Sequence, residues 1–472
     1  MKYALSLLAL LTSSAMARGV SPYLPLNQSP EIERQIERVL MLADDPVMAR
    51  PIAAARVLDA LPKACKKDAV LCEQVRRYLS RYMKPLALTQ AGIRLAVNSG
   101  ADKTIPNQRG RDTGSHYLVN AAVQWQPSDY ALLSLGGSSW QGGHSLQNSY
   151  LSVGYEYAQL DVGYREHWYS PMQDSAMVIS TQARAIPSIT LSNYTPLTSY
   201  HIRYNFFVGA LSNSDHIAYN GGFTEGRPRL AGFHLSFEPV PGVALGVNRI
   251  MQFGGGARGG NNIKDVFKAF FNPTKTDNTG QGNVTTANEF GNQIASFTAK
   301  ANFQGRVPFS VYMEYAGEDT SKGQSWVLGN AAFSGGLQFP HILPRLDLSY
   351  EFSEWQNAWY VHHIYRDGMT NEGHVLGHWA GDERVFNDGI GGQAHSLIVN
   401  WEPVAGHLLE GRLRTLKNET AYGSNRALYH RAVELDLRYS TTWHQYLVGA
   451  ELYTGKTVFG DHFASIGGFI RW

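Results

Sequence analysis

From residue 88 to the C-terminus the chain repeats one pattern, in which segments of about ten residues alternate in polarity and are joined by connections that are short and long in strict turn. Ile202, Tyr204, Phe206 and Val208 share one parity while Arg203 and Asn205 take the other, and residues 434–439 repeat the arrangement. Period two predicts a strand with one apolar face, and about ten tilted residues cross a bilayer. The short connections fall at 126–129, 157–159, 194–198, 238–242, 305–307, 340–344, 402–406 and 440–443. The long ones fall at 99–115, 140–147, 168–174, 211–227, 253–290, 318–330, 355–392, 418–425 and 454–461. This predicts an antiparallel meander with tight turns on the periplasmic side and large loops outside. The expected fold class is mainly β, a transmembrane antiparallel β-barrel of about 18 strands over residues 87–472. A soluble β-sandwich would explain the alternation, but not the short and long pairing together with aromatic enrichment and a terminal Trp472.

Composition suits a barrel wall. The 472 residues include 47 glycines, 25 tyrosines, 20 phenylalanines and 10 tryptophans, with a slightly negative mean hydropathy. Alternating strands average to a mildly polar sequence even when half of each strand faces lipid. A net charge of only +2 gives no reason to expect nucleic acid as a partner.

The first residues read as an export signal. Lys2, an apolar run over 3–11 and the small residues Ala15 and Ala17 fit a signal peptide at 1–17. Residues 18–86 then read as a small periplasmic helical module. Its first helix is expected to start at Ser29 and Pro30 and run to 44, its second to span 52–61, and its third to follow Asp68 with Leu71, Val75 and Leu79 on one stripe. Cys65 and Cys72, the only cysteines, are expected to pair in the oxidising exported context.

The long stretch 253–290 is read as the working end. It carries a helical pattern at 262–271, and its Arg258, Lys264, Lys268 and Lys275 lie among Phe267, Phe270 and Phe271. Cations beside aromatic faces suit an acidic glycan. For the three phenylalanines, packing of the helix against the barrel interior is weighted above ligand contact. Gly254, Gly256 and Gly259 mimic a dinucleotide fingerprint, which the missing βαβ unit excludes; the expectation is that they turn the loop into the lumen. His374 with His378, and His362 with His363, raise a metal site. Flanking Gly373 and Gly377 weaken the helix such a pair needs, so no metal or other cofactor is expected, and His363 is expected to hydrogen bond to Tyr365, Arg366 or Asp367. A GxSxG elbow is missing. The carboxylate pairs Glu318 with Asp319 and Asp382 with Glu383 read as solvated loop residues, so no catalytic residue is assigned.

Three runs resemble the Wzi-type capsule-assembly outer-membrane family: Arg249 to Gly255 (RIMQFGG), Asp277 to Gly280 followed by Glu289 to Gln293, and His362 to Gly368 (HHIYRDG) followed by Leu376 and Gly377. The resemblance implies a monomeric eighteen-stranded surface lectin that holds capsular or exopolysaccharide and is not an enzyme, with loops and helical bundle closing the pore. The implied partners are a surface polysaccharide, outer-membrane lipid and, left open, an export machinery. Arg258, Lys264 and Lys268 are the expected polysaccharide-binding residues, with Arg366 added. A diffusion porin for small solutes is the alternative, and a barrel enzyme the third.

Overall fold

The structure is a computed structural model that describes residues 18–259, 263–272, 289–321, 324–343, 345–418 and 428–472. The signal peptide, Lys275 and the motif at 277–280 lie outside the described residues. Eighteen antiparallel wall strands close on themselves. They are β1 (Leu86–Gly100), β2 (Tyr117–Ser128), β3 (Ala131–Trp140), β4 (Gly143–Ser145 and Ser149–Tyr155, one strand broken by a kink), β5 (Ala158–Tyr164), β6 (Ser188–Ser192), β7 (Arg203–Ala210), β8 (Arg229–Val240), β9 (Val243–Phe253), β10 (Gly291–Phe303), β11 (Phe309–Ser321), β12 (Gln324–Leu343), β13 (Leu346–Trp355), β14 (Gly392–Val404), β15 (His407–Asn418), β16 (Ala432–Trp443), β17 (Tyr446–Lys456) and β18 (His462–Arg471). Closure is made by β1 against β18, in a register running from Gly92 opposite Arg471 to Gly100 opposite Phe463.

The alternation read from the sequence sets the two faces. In β2, Val119, Val123 and Trp125 are exposed on the outside while Asn120 and Gln124 are buried inside. An outer face of this kind buries its apolar side chains only in lipid. Gly242 and Gly406 complete short turns with φ near +80°, a backbone that glycine adopts without strain. One connection differs from expectation: residues 318–330 are not an open loop. β11 and β12 stay paired as far as Asp319 opposite Gly329 and Thr320 opposite Leu328. Above the lipid, ladder hydrogen bonds need no apolar alternation, so a polar sequence continues the hairpin.

Helices α1 (Pro30–Leu42), α2 (Ala54–Ala64) and α3 (Ala69–Leu79) form the N-terminal module. Pro30 begins α1 and Glu31 and Glu33 favour its N-terminus, though the Ser29 side chain makes no cap bond. The second helix starts two residues later than expected, because Ile52 and Ala53 are committed to extended pairing: the Ile52 carbonyl accepts from Leu24 N (2.8 Å) and Ala53 bridges Tyr23. Asp68 caps α3 by accepting from Leu71 N at 3.0 Å. Val39, Leu40, Val57, Leu61, Val75 and Leu79 form the module's core, and Cys65 and Cys72, with Cα atoms 5.4 Å apart, are joined as a disulfide beside it.

The module docks at the short-turn end. Gln304 donates to Met41 O (2.6 Å), Val20 N donates to Asp129 O (2.6 Å), and Arg34 pairs with Asp347 (3.2 Å). It also reaches into the lumen, where Arg50 pairs with buried Glu37 and exchanges main-chain hydrogen bonds with Trp168 at 2.9 and 3.0 Å. Trp168 belongs to the loop 165–187 that descends from the opposite end. Module and loop therefore meet inside the barrel, leaving between them a cavity of about 200 Å³ lined by charged side chains such as Arg94, Arg111 and Glu451.

Candidate functional site

Two long connections behave in opposite ways at the long-loop end. Residues 356–391 enter the lumen. Trp359, Tyr360 and Trp379 are buried there against Trp355 and Leu376, and their polar neighbours are paired. Glu318 accepts from Tyr360 N (2.6 Å) and Asn292 (3.0 Å). Asp382 accepts from Val375 N (2.9 Å) and Gln182 (2.7 Å) and meets His374 at 3.0 Å. Glu383 and Glu434 lie 2.9 and 2.8 Å from the buried Lys103 ammonium. Burial opposes that charge, but the two carboxylates overcome it and hold the Lys103 pKa well above its usual value. The reading of Glu318, Asp382 and Glu383 as solvated is thus corrected. Adjacent carboxylates in a sequence do not reveal partners that come from other loops and the wall.

Residues 254–259 and α4 (Ile263–Phe271) instead stay outside. The outward residues of the wall at this point are Ala231, Met251 and Phe253, because the neighbouring Leu230, His234 and Ile250 face the lumen. Val266 and Ala269 of α4 pack on those outward residues, with Phe270 and Phe233 alongside. The turn into the lumen is therefore corrected, and so is the packing of the phenylalanines. Only Phe270 packs; Phe267 is 52% and Phe271 74% exposed. Period 3.6 shows which residues share a helix face but not which side of a wall that face will meet.

Above the wall a second surface forms. The hairpin of Ser214–Tyr219 with Gly222–Gly226 lies against the HHIYRDG run. Ile217 is buried with Ile364 and Tyr365, Ala218 N donates to Ile364 O (2.8 Å), and Arg366 N donates to His216 O (3.1 Å). Ser214 donates to Asp367 at 2.6 Å, and Tyr365 donates to Gly254 O at 3.0 Å. A Cβ on Gly256 would meet Glu225 O and Thr224 at 2.6 Å, and its φ is +56°. The glycines thus serve the close approach of the 254–259 turn to this hairpin. Arg258 donates to Ala218 O (3.3 Å) and Glu289 O (2.6 Å), tying turn, hairpin and the start of β10 together. On the outer side of this framework stand exposed Arg366 and Phe223, with His216 edge-on to the Phe223 ring at 5.9 Å.

The structure brings Arg258 and Arg366 to this one surface, whereas Lys264 and Lys268 stand exposed on α4 over the outer wall. Phe223 and His216 were missed by the sequence reading, since a polar hairpin inside a long connection carries no periodic signal. His363 bonds to Glu289 (2.8 Å), not to the residues beside it. Glu289, His362 and His363 place ligand-type atoms within 4.8 Å of one another. His362 Nδ1 accepts from Ile364 N (3.3 Å), which leaves its Nε2 protonated and aimed at Glu289 3.6 Å away. Burial, then His363 and the guanidinium groups of Arg258 and Arg366, lower the His362 pKa to about 3. His374 and His378 do not converge: the first faces Asp382, and His378 Nδ1 accepts from Ala380 N (3.1 Å).

A family described as "Capsule assembly protein Wzi" matches residues 111–387, more than half of the chain. The chain belongs to the Wzi capsule assembly family. In Escherichia coli, Wzi is described as an outer-membrane protein involved in group 1 capsule assembly and a carbohydrate-binding β-barrel. Its structure matches 97% of this chain and 99% of its own at a TM-score of 0.70, with 15% identity. An uncharacterized 55.8 kDa protein in the cps region of Klebsiella pneumoniae is 25% identical over 306 residues, or 62% of this chain. The match spans 56% of that relative's length. The chain is thus an outer-membrane β-barrel of the Wzi fold, and its closed eighteen-stranded wall is that of its family.

Proposed function

We propose that this Wzi-family barrel binds capsular or exopolysaccharide at the cell surface and supports its assembly or retention. The observation that carries the reading is the outer surface on which Phe223, His216 and Arg366 stand exposed, with His216 joining them through the Phe223 ring at 5.9 Å and the Arg366 main chain at 3.1 Å. Aromatic faces stack on sugar rings and guanidinium groups bind carboxylates in charge-assisted pairs. Arg258 shapes this surface from below through the carbonyls of Ala218 and Glu289. Each contact is weak, but a long polymer repeats its unit, so many barrels on one chain give strong retention. The carbohydrate binding described for the Escherichia coli relative supports the substrate class. No catalytic step is assigned. The helical module faces the periplasm in this reading, and the barrel works as a monomer. A lumen filled from both ends argues against the diffusion-channel alternative.

The test is the partition of surface polysaccharide between cell-bound and released fractions at equal total synthesis. Deletion is expected to raise the released share, and the double variant Phe223→Ala/Arg366→Ala to reproduce most of that rise with barrel assembly intact. An unchanged partition after deletion would overturn the retention role.

A further inference from the structure

Outward-facing Arg249 poses a problem that α4 solves. Its neighbours on the outer face, Val247 and Phe297, are 43% and 50% exposed, as lipid-facing residues of a barrel are, and a bare guanidinium beside them would be costly. Instead Arg249 donates to Phe270 O (2.6 Å) and Ala269 O (3.4 Å) and lies over the Phe270 ring at 5.3 Å. The carbonyls at the helix C-terminus are the negative end of its dipole and lack partners within the helix. Helix and wall thus satisfy each other, and α4 lies on the barrel where lipid would otherwise be.

Depth follows from the strand. With a rise of roughly 2.5 Å per residue along the axis of a tilted strand, Arg249 to Phe253 stand roughly 17–27 Å above the short turn at Gly242, the top of a lipid band about 25 Å tall. A chain of rings runs up to the helix from lipid-facing Phe206. Phe206 to Phe233 is 5.6 Å, Phe233 to Phe270 is 4.8 Å, and Phe270 to Phe271 is 5.1 Å between centroids. At its upper end Phe267 and Phe271 are exposed, and Lys264 and Lys268 are exposed on the same short helix.

We infer that α4 is an interfacial helix of the outer leaflet, seating Phe267 and Phe271 at the headgroup and acyl boundary and presenting Lys264 and Lys268 to phosphate groups of the lipid. Apolar residues continuous with the lipid-facing wall, with cations beside them, are the composition of a helix lying in an interface. The ammonium groups suit phosphate as compact point charges. This assignment stands apart from glycan retention, since it uses a different surface.

The disulfide occupies both native cysteines, so a Phe271→Cys variant of the full chain offers one thiol for an environment-sensitive fluorophore. A matching label at Phe386→Cys, exposed in the 356–391 loop, is the reference. In bilayers the label at 271 is expected to emit at shorter wavelength than the reference and to be quenched by brominated acyl chains. Emission and quenching equal to those at 386 would overturn the membrane seating. Next, bilayers with lipid A are compared with bilayers of its dephosphorylated form. Lys264→Gln/Lys268→Gln should weaken the preference for lipid A roughly thirtyfold, at about 1 kcal/mol for each of the two basic residues. An unchanged preference, or its abolition by millimolar inorganic phosphate in solution, would overturn the role of lipid-borne phosphate.

Discussion

The connection leaving β13 and the connection leaving β9 are both long, polar and glycine-rich, and they use their polar residues in opposite ways. The part of 356–391 inside the barrel buries its polar groups: Tyr360 N, Asp382 and Glu383 each find a partner on another loop or on the wall. The helix α4 in 254–290 leaves Lys264 and Lys268 exposed and buries Val266, Ala269 and part of Phe270. Polar groups paired, as in 356–391, with other loops and with the wall's interior hold the inner part of the segment as firmly as a core. Helix α4, held by one apolar face and by Arg249, depends on the solvent over its other face, which is the membrane surface.

The sharpest way to break the contrast is to unpair a buried charge in the inner region. Lys103→Met leaves Glu383 and Glu434 facing each other without the ammonium between them, with Arg414 still 4.0 Å from Glu434. Removing one partner of a buried ion cluster typically costs about 3–5 kcal/mol, so the 101–116 and 356–391 loops should open. Protease nicking within 356–391 should rise steeply, with a label on α4 unaffected. Slow nicking equal to that of the parent protein would show that apolar packing around Trp359 and Trp379, rather than charge, fixes this loop.

The wall was legible in the sequence and the site was not, for a physical reason. Strand parity is a local property: Phe206 and Val208 face lipid because their neighbours Asn205 and Phe207 face the lumen, and the eight short turns follow where parity resets. Caps are local as well, which is why Asp68 begins a helix where expected. Burial of a loop carboxylate is not local. Glu318 is buried by Asn292 and Tyr360, 26 and 42 residues away, and nothing adjacent to it says so. The helical pattern of α4 was readable from its apolar spacing, but its placement outside the wall depends on Arg249 pointing outward, a fact that appears only once the register of β8, β9 and β10 is fixed. The outer surface of Phe223 and Arg366 is further from sequence still, because it is assembled from three separate connections.

Acid should separate the two regions with an intermediate effect. His378 is buried between the Trp355 and Trp379 rings, and its main-chain N donates to Tyr360 Oη (2.7 Å). Burial lowers its pKa to about 4, with Asp174 opposing and Arg414 assisting. Because the folded pKa lies below the usual value near 6.5, the open loop binds a proton that the packed loop does not. The stabilisation is complete above about pH 6.5 and is lost as pH falls toward 4. Between pH 6.5 and 5 the loss is about 2 kcal/mol. Hydrogen exchange within 356–391 should accelerate over that range, and His378→Asn should flatten the dependence. Exchange in α4 should show no matching step.

The smallest expected effect tests the outer region. Arg249→Met removes the hydrogen bonds from a cation to the Ala269 and Phe270 carbonyls, a loss of a few kcal/mol of helix docking by the usual worth of charged bonds, together with one to Gln293 Oε1 within the wall. It also removes a guanidinium from the outward face, where a charge costs between about 0 and 4 kcal/mol depending on depth. The two terms oppose, and methionine packs well against Phe270, so the net loss of α4 docking should be about 1 kcal/mol. A label at position 271 should then show a minor population in a second environment, while nicking within 356–391 stays at the parent rate. A large loss of docking would mean that Arg249 sits near the interface, where its charge costs little and its bonds dominate. A gain would place it deep in the apolar band, with α4 held there by Val266, Ala269 and Phe270 alone.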